Sequence, residues 1–153
     1  MKKILAIILC LVIILGLCGC GRQKIDTLSS DGLMLKYVIH YGGIASADSD
    51  FVAGTLYTVS YEGVITNYDL YGDQTIKEKN NIEIEKTKVV ELYDFLKTNE
   101  IVEIDTSLTY DNPTYIIEFY DSYGAEIFAF IGMISDEYID ELNAYLVSTT
   151  HHL

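Results

Sequence analysis

Between residues 33 and 147, five runs rich in Val, Ile, Tyr and Thr carry the two-residue alternation of a strand, and two stretches switch to helical spacing. The loops joining paired runs are only a few residues long. A parallel crossover needs a dozen or more residues, so this chain is restricted to antiparallel hairpins.

Residues 33–41 (LMLKYVIHY) set Leu33, Leu35, Tyr37, Ile39 and Tyr41 on one side and Lys36 and His40 on the other, as in a half-buried strand. Gly42 and Gly43 end it, and 44–50 reads as a small polar loop. Residues 51–61 and 64–71 flank Glu62-Gly63, a hairpin signature because Gly supplies the positive φ of a tight turn. Gly72-Asp73 and Asn80-Asn81 are read as breaks. Between and after them, Ile76 and the Ile82/Ile84 pair are candidates for short edge strands, guarded by Lys77, Glu78, Lys79, Glu83 and Glu85. Residues 88–98 then place Val89, Leu92, Tyr93 and Leu96 at i, i+3, i+4 and i+7, an amphipathic helix with Thr87 as N-cap. Beyond Asp111-Asn112-Pro113, residues 115–120 and 125–131 form a second hairpin around Asp121-Ser122-Tyr123-Gly124. Ser135 caps a final helix with Ile139, Leu142 and Leu146 inward, and Asp136 and Glu137 at its positive end.

The expected architecture is α+β: a single, mostly antiparallel sheet with two amphipathic helices on one face, in the order β-ββα-ββα. That order, with Gly42-Gly43 after the first strand, is similar to small proteinase inhibitors of the emfourin type. The similarity is architectural and spans residues 33–147. It implies an inhibitor-like module and assigns no functional residue, because no diagnostic motif accompanies it.

The N-terminus carries a separate signal. Lys2 and Lys3 precede an uncharged apolar run from Ile4 to Leu17, the n-region and h-region of an export signal. The run is shorter than the ~20 residues of a transmembrane helix. It ends in Leu17-Cys18-Gly19-Cys20, which resembles the lipobox of bacterial lipoproteins. The resemblance implies that Leu17 and Gly19 are recognised, that 1–19 is removed, and that Cys20 is acylated as the new first residue. Two acyl chains hold a protein stably in the bilayer. The expected divisions are a signal peptide (1–19), a lipidated Cys with a polar tether (20–32, containing RQKIDTLSSDG), and one domain (33–153). The expected location is the extracytoplasmic face of the cell membrane.

Charge narrows the partners. The chain has 10 basic and 23 acidic residues and a net charge of −13. Without Lys2 and Lys3, eight basic residues remain against the same 23, a charge of −15. Phosphate backbones repel such a surface, which argues against nucleic acid. Cleavage also removes Cys10 and Cys18, so the mature chain can form no internal disulfide. With nine Lys to one Arg, this usage points to a low-GC Gram-positive bacterium.

Residues suited to catalysis are sparse. His40 lies mid-strand, and His151 and His152 end the chain. There is no paired-histidine helix motif, no Gly-x-Ser-x-Gly elbow and no glycine-rich phosphate loop. Neither a cofactor nor a transition metal is expected. Asp48-Ser49-Asp50 offers calcium two carboxylates on a loop but lacks the EF-hand spacing. Thirteen tyrosines remain. If the helices cover one face of the sheet, the other displays His40, Tyr71, Ile116 and Tyr120, beside Val38. Tyrosine-rich faces suit protein contacts. The expected function is a non-enzymatic binding or accessory lipoprotein for a protein or peptide partner. The alternatives are a proteinase-inhibitor-like module and a small carboxylate-dependent hydrolase.

Overall fold

The computed structural model describes residues 22–41, 50–101 and 113–147. The expected signal peptide, Cys20 and residues 42–49 lie outside them. The strands are β1 (Gln23–Lys24), β2 (Leu33–His40), β3 (Val52–Ser60), β4 (Val64–Tyr71), β5 (Thr75–Glu83), β6 (Thr114–Tyr120) and β7 (Glu126–Gly132). Helix α1 (Lys86–Thr98) follows β5, and α2 (Asp136–Val147) follows β7. One turn of 3-10 helix, Ile25–Thr27, follows β1. All strands join one antiparallel sheet in the order β1-β5-β4-β3-β2-β6-β7.

This corrects the expected fold. In place of a sheet with helices on one face in the order β-ββα-ββα, the chain forms a curled, seven-stranded half-barrel with two short helices. Three local causes account for the difference. Asn80-Asn81 does not break the chain: both residues stay in β5 and pair with Asn67 and Thr66 of β4. Gln23 and Lys24, read as tether, pair with Ile76 and Thr75 and add an edge strand. Four register shifts among the described strands each leave one residue extra, at Met34, Ala53, Lys79 and Ile127. Such bulges bend a strand and increase its twist, which curls the sheet.

The two expected hairpins close on glycines with positive φ, Gly63 at 89° and Gly124 at 79°. In the second turn the Asp121 carboxylate accepts the N–H groups of Tyr123 and Ala125 at 2.8 and 2.9 Å, the local bonding that favours Asp there. Gly54 is required for a different reason. A Cβ there would lie 2.2 Å from the Ile39 carbonyl oxygen of the neighbouring strand. Helix α1 begins two residues earlier than expected, with Glu85 rather than Thr87 as N-cap. The Ser135 carbonyl accepts the Ile139 N–H at 3.2 Å, so Ser135 holds the expected cap position of α2.

Two hydrophobic clusters lie on opposite sides of the sheet. The larger unites Leu35, Tyr37, Val59, Ile65, Ile117 and Phe119 with residues of both helices, including Leu92, Phe95, Ile139 and Leu142. At its centre Tyr37 stacks between Tyr57 and Tyr115, each with a ring centroid at 6.1 Å. The Tyr37 and Tyr138 hydroxyls are buried there without a partner among the described residues. Burial raises both phenols, with neighbouring tyrosines adding to the effect at Tyr37; Tyr138, also near Glu141, reaches about 12.

The smaller cluster contains Val38, Leu56, Leu70 and Ile76, with Ile25 and Leu28 packed onto it. Topology explains this contact. The chain leaves β1 at one edge of the sheet and must pass β5, β4 and β3 to enter β2. On that path it lays Ile25 and Leu28 over the second side.

Candidate functional site

One row of cross-strand partners shows how far this cover extends. Tyr68, Leu56, Val38, Ile116 and Ile131 stand opposite one another from β4 to β7 and share the second side of the sheet. Leu56 and Val38 are fully buried, Ile116 is half-buried, and Ile131 is 69% exposed. The half of this side nearest β7 is therefore open among the described residues. Ala129, in the next row, is exposed beside Ile131.

Three polar groups of this half, Lys36, Glu118 and Tyr120, engage one another. Lys36 and Glu118 are register partners on β2 and β6, and Lys36 Nζ lies 3.0 Å from Glu118 Oε2. Tyr120 Oη donates to the same carboxylate oxygen at 2.5 Å. Burial first, and then the bond to Glu118 and its negative charge, raise the Tyr120 phenol well above its usual range, keeping it a neutral donor. His40 lies between Gly54 and Thr114, and burial lowers its pKa. Near neutral pH it is an uncharged imidazole. The result is an apolar strip bordered by one compensated ion pair.

The structure brings three of the four expected face residues, His40, Ile116 and Tyr120, onto the adjacent strands β2 and β6. Tyr71 is elsewhere. It sits on β4, beyond β3, almost fully buried under the Arg22 guanidinium, which lies 3.6 Å from its ring centroid. Such cation–π stacking holds the entry to β1 against the sheet. Asp50 accepts from Arg22 at 3.1 Å. Its companion in the calcium reading, Asp48, lies outside the described residues. Among the described residues no group of three or more His, Cys, Asp or Glu is placed to hold a metal.

Of the carboxylates near turns that a small hydrolase would draw on, Asp69 meets Lys79 at 3.5 Å, Asp73 accepts from Thr75, and Asp121 binds its own turn. Asp105 and Asp111 lie outside the described residues. The hydrogen bonds from Thr75 hold the Asp73 carboxyl below its usual value.

Residues missed at the sequence level are Ala129 and Ile131. Their alternation with Phe128 and Phe130 is visible in EIFAFIG, but which alternate lies open depends on what covers each side. A separate concavity of about 320 Å³ lies between the β3–β4 turn and the first turns of α1, lined by Tyr61, Glu62, Lys86, Val89, Val90 and Tyr93. It is near the lower limit for small-molecule sites. No described helix is long and apolar enough to cross a membrane. Comparison with protein-family models, with curated proteins and with solved structures finds no match for this chain.

Proposed function

We propose that this chain is a lipid-anchored binding protein of the extracytoplasmic membrane face, which takes a protein or peptide partner on the β6–β7 half of its sheet. One observation carries the binding reading. The N-terminal segment covers the second side over Leu56, Leu70 and Ile76 but leaves Ile131 and Ala129 open. Exposed aliphatic side chains grouped on a strand mark interaction surfaces more often than singly scattered ones do. The Lys36–Glu118–Tyr120 group at its border adds polar contacts in a fixed geometry. The anchor rests on the lipobox resemblance of Leu17, Gly19 and Cys20. The element order behind the likeness to emfourin-type inhibitors is changed by β1 and by a full-length β5, and most of its 42–50 loop lies outside the described residues.

The test is capture with the full-length chain in lipid nanodiscs, offered the surface and secreted proteins of the producing cell. The expected result is reproducible enrichment of one protein, reduced at least ~10-fold by Ile131→Lys, since each 1.4 kcal/mol lost is tenfold in affinity. Recovery no greater than from empty nanodiscs, or recovery unchanged by the substitution, would overturn the reading.

A further inference from the structure

The sheet ends in two unlike edges. At one, β5 bears Lys77, Glu78 and Lys79 and is itself capped by β1. At the other, no backbone group among the described residues pairs with the outer side of β7. Edge strands are ordinarily protected by Lys, Pro or a bulge. β7 (EIFAFIG) contains no Lys, Arg or Pro, and its bulge at Ile127 lies near one end. Among the described residues, 128–132 are therefore a regular, unguarded edge bearing the exposed Ala129 and Ile131.

Charge is as lopsided as the edges. No Lys or Arg follows Lys97 in the sequence. The described chain around β7 instead carries Asp121, Glu126, Asp136, Glu137, Asp140 and Glu141. The last four are exposed on α2, which follows β7 directly. They reach back to the sheet: after burial, Asp136 and Asp140 are the next causes of the raised Tyr115 phenol on β6. Glu118 is already matched by Lys36.

We propose that β7 is the docking edge for a cationic, extended segment of a partner protein, added to the sheet as an eighth strand. The main chain would pair along 128–132, the mode in which backbone bonds supply affinity and alternate side chains supply specificity. Apolar side chains on one side of the added strand meet Ala129 and Ile131. Lys or Arg at the alternate positions meet the acids at the start of α2. A second copy of this chain is disfavoured as occupant, because it brings the same acids and a charge of −13 to the contact. The inference rests on the binding reading above and names its partner chemistry.

The experiment uses the full-length chain in non-ionic detergent micelles and a fluorescent heptapeptide, Lys-Val-Lys-Val-Lys-Val-Lys, read by anisotropy. A peptide with the outer two valines replaced by proline keeps every charge but cannot pair as a strand. A third peptide replaces each lysine with glutamate. The expected result is saturable binding of the first, at least ~10-fold weaker binding of the proline peptide, and none of the acidic one. Ile131→Lys in the protein should weaken the first at least as much. Equal binding of the proline peptide would show attraction of charge alone and overturn the proposal. So would binding indifferent to Ile131→Lys, or no binding. If the peptide fails while Ile131-dependent capture succeeds, the cationic strand is wrong and the binding reading stands. If it binds while capture retrieves nothing, the edge is real and the proposed function falls.

Discussion

Cys20→Ser will reduce incorporation of labelled palmitate to background and leave the chain at its unprocessed mass, whereas Cys18→Ser will leave both unchanged. The contrast follows from the chemistry of the site. A thiolate is a far stronger nucleophile than a hydroxyl, so serine is no acceptor for the diacylglyceryl group despite its similar size. Cys18 follows Leu17, too bulky a residue to precede the cut, while Cys20 follows Gly19. Labelling of the cell followed by immunoprecipitation and intact-mass measurement reads both effects. Retention of label in Cys20→Ser, or its loss in Cys18→Ser, would overturn the assignment of the anchor.

Phe119→Ala should be the most damaging truncation in the domain. Phe119 is 1% exposed on β6, with Leu35 opposite it on β2 and Phe128 on β7. Its ring meets Tyr93 of α1 edge-on at 5.3 Å and Phe128 at 5.5 Å. One side chain therefore joins three strands and a helix, and neighbours held by the sheet ladder cannot collapse into the space it leaves. Phe→Ala at such a site costs about 3–5 kcal/mol, out of a total of about 5–15 kcal/mol for an ordinary domain. At a few degrees per kcal/mol, the thermal midpoint should fall by roughly 10–15 °C. Tyr123→Ala, at a turn residue 90% exposed, is the control and should leave the midpoint nearly unchanged. A fall of under ~3 °C for Phe119→Ala would contradict the packing described here.

What the sequence conveyed and what it concealed divide along physical lines. The two hairpins were legible because Gly63 and Gly124 occupy left-handed turn positions, and the helices because four apolar residues in the first and three in the second recur at helical spacing. β5 was not, because most of its residues beyond Ile76 face solvent and carry no apolar alternation. Its Asn80-Asn81 pair looks like a turn until the partner strand β4 supplies the hydrogen bonds. β1 is two residues long, too short for any period to show. The bulges are invisible for a related reason: an extra residue has meaning only relative to the strand opposite.

The candidate site was legible in part. Lys36, His40 and Glu118 declared the polar side of β2 and β6, and Ile116 and Tyr120 followed by alternation. Tyr71 was misplaced because nothing local predicts that Arg22, almost fifty residues earlier, stacks on it. Ile131 was missed because its exposure depends on how far the crossing segment at Ile25 and Leu28 reaches over the sheet.

That reach is the central claim, and it can be measured without knowing the partner. With isoleucine methyls labelled in the full-length chain in micelles, a soluble paramagnetic probe broadens each methyl according to its access to solvent. Strong broadening of Ile131 and Ile127, intermediate broadening of Ile116, and none of Ile76 or Ile117 is the predicted result. Ile131 as protected as Ile76, or Ile76 as open as Ile131, would contradict the half-covered sheet on which the proposed binding surface rests.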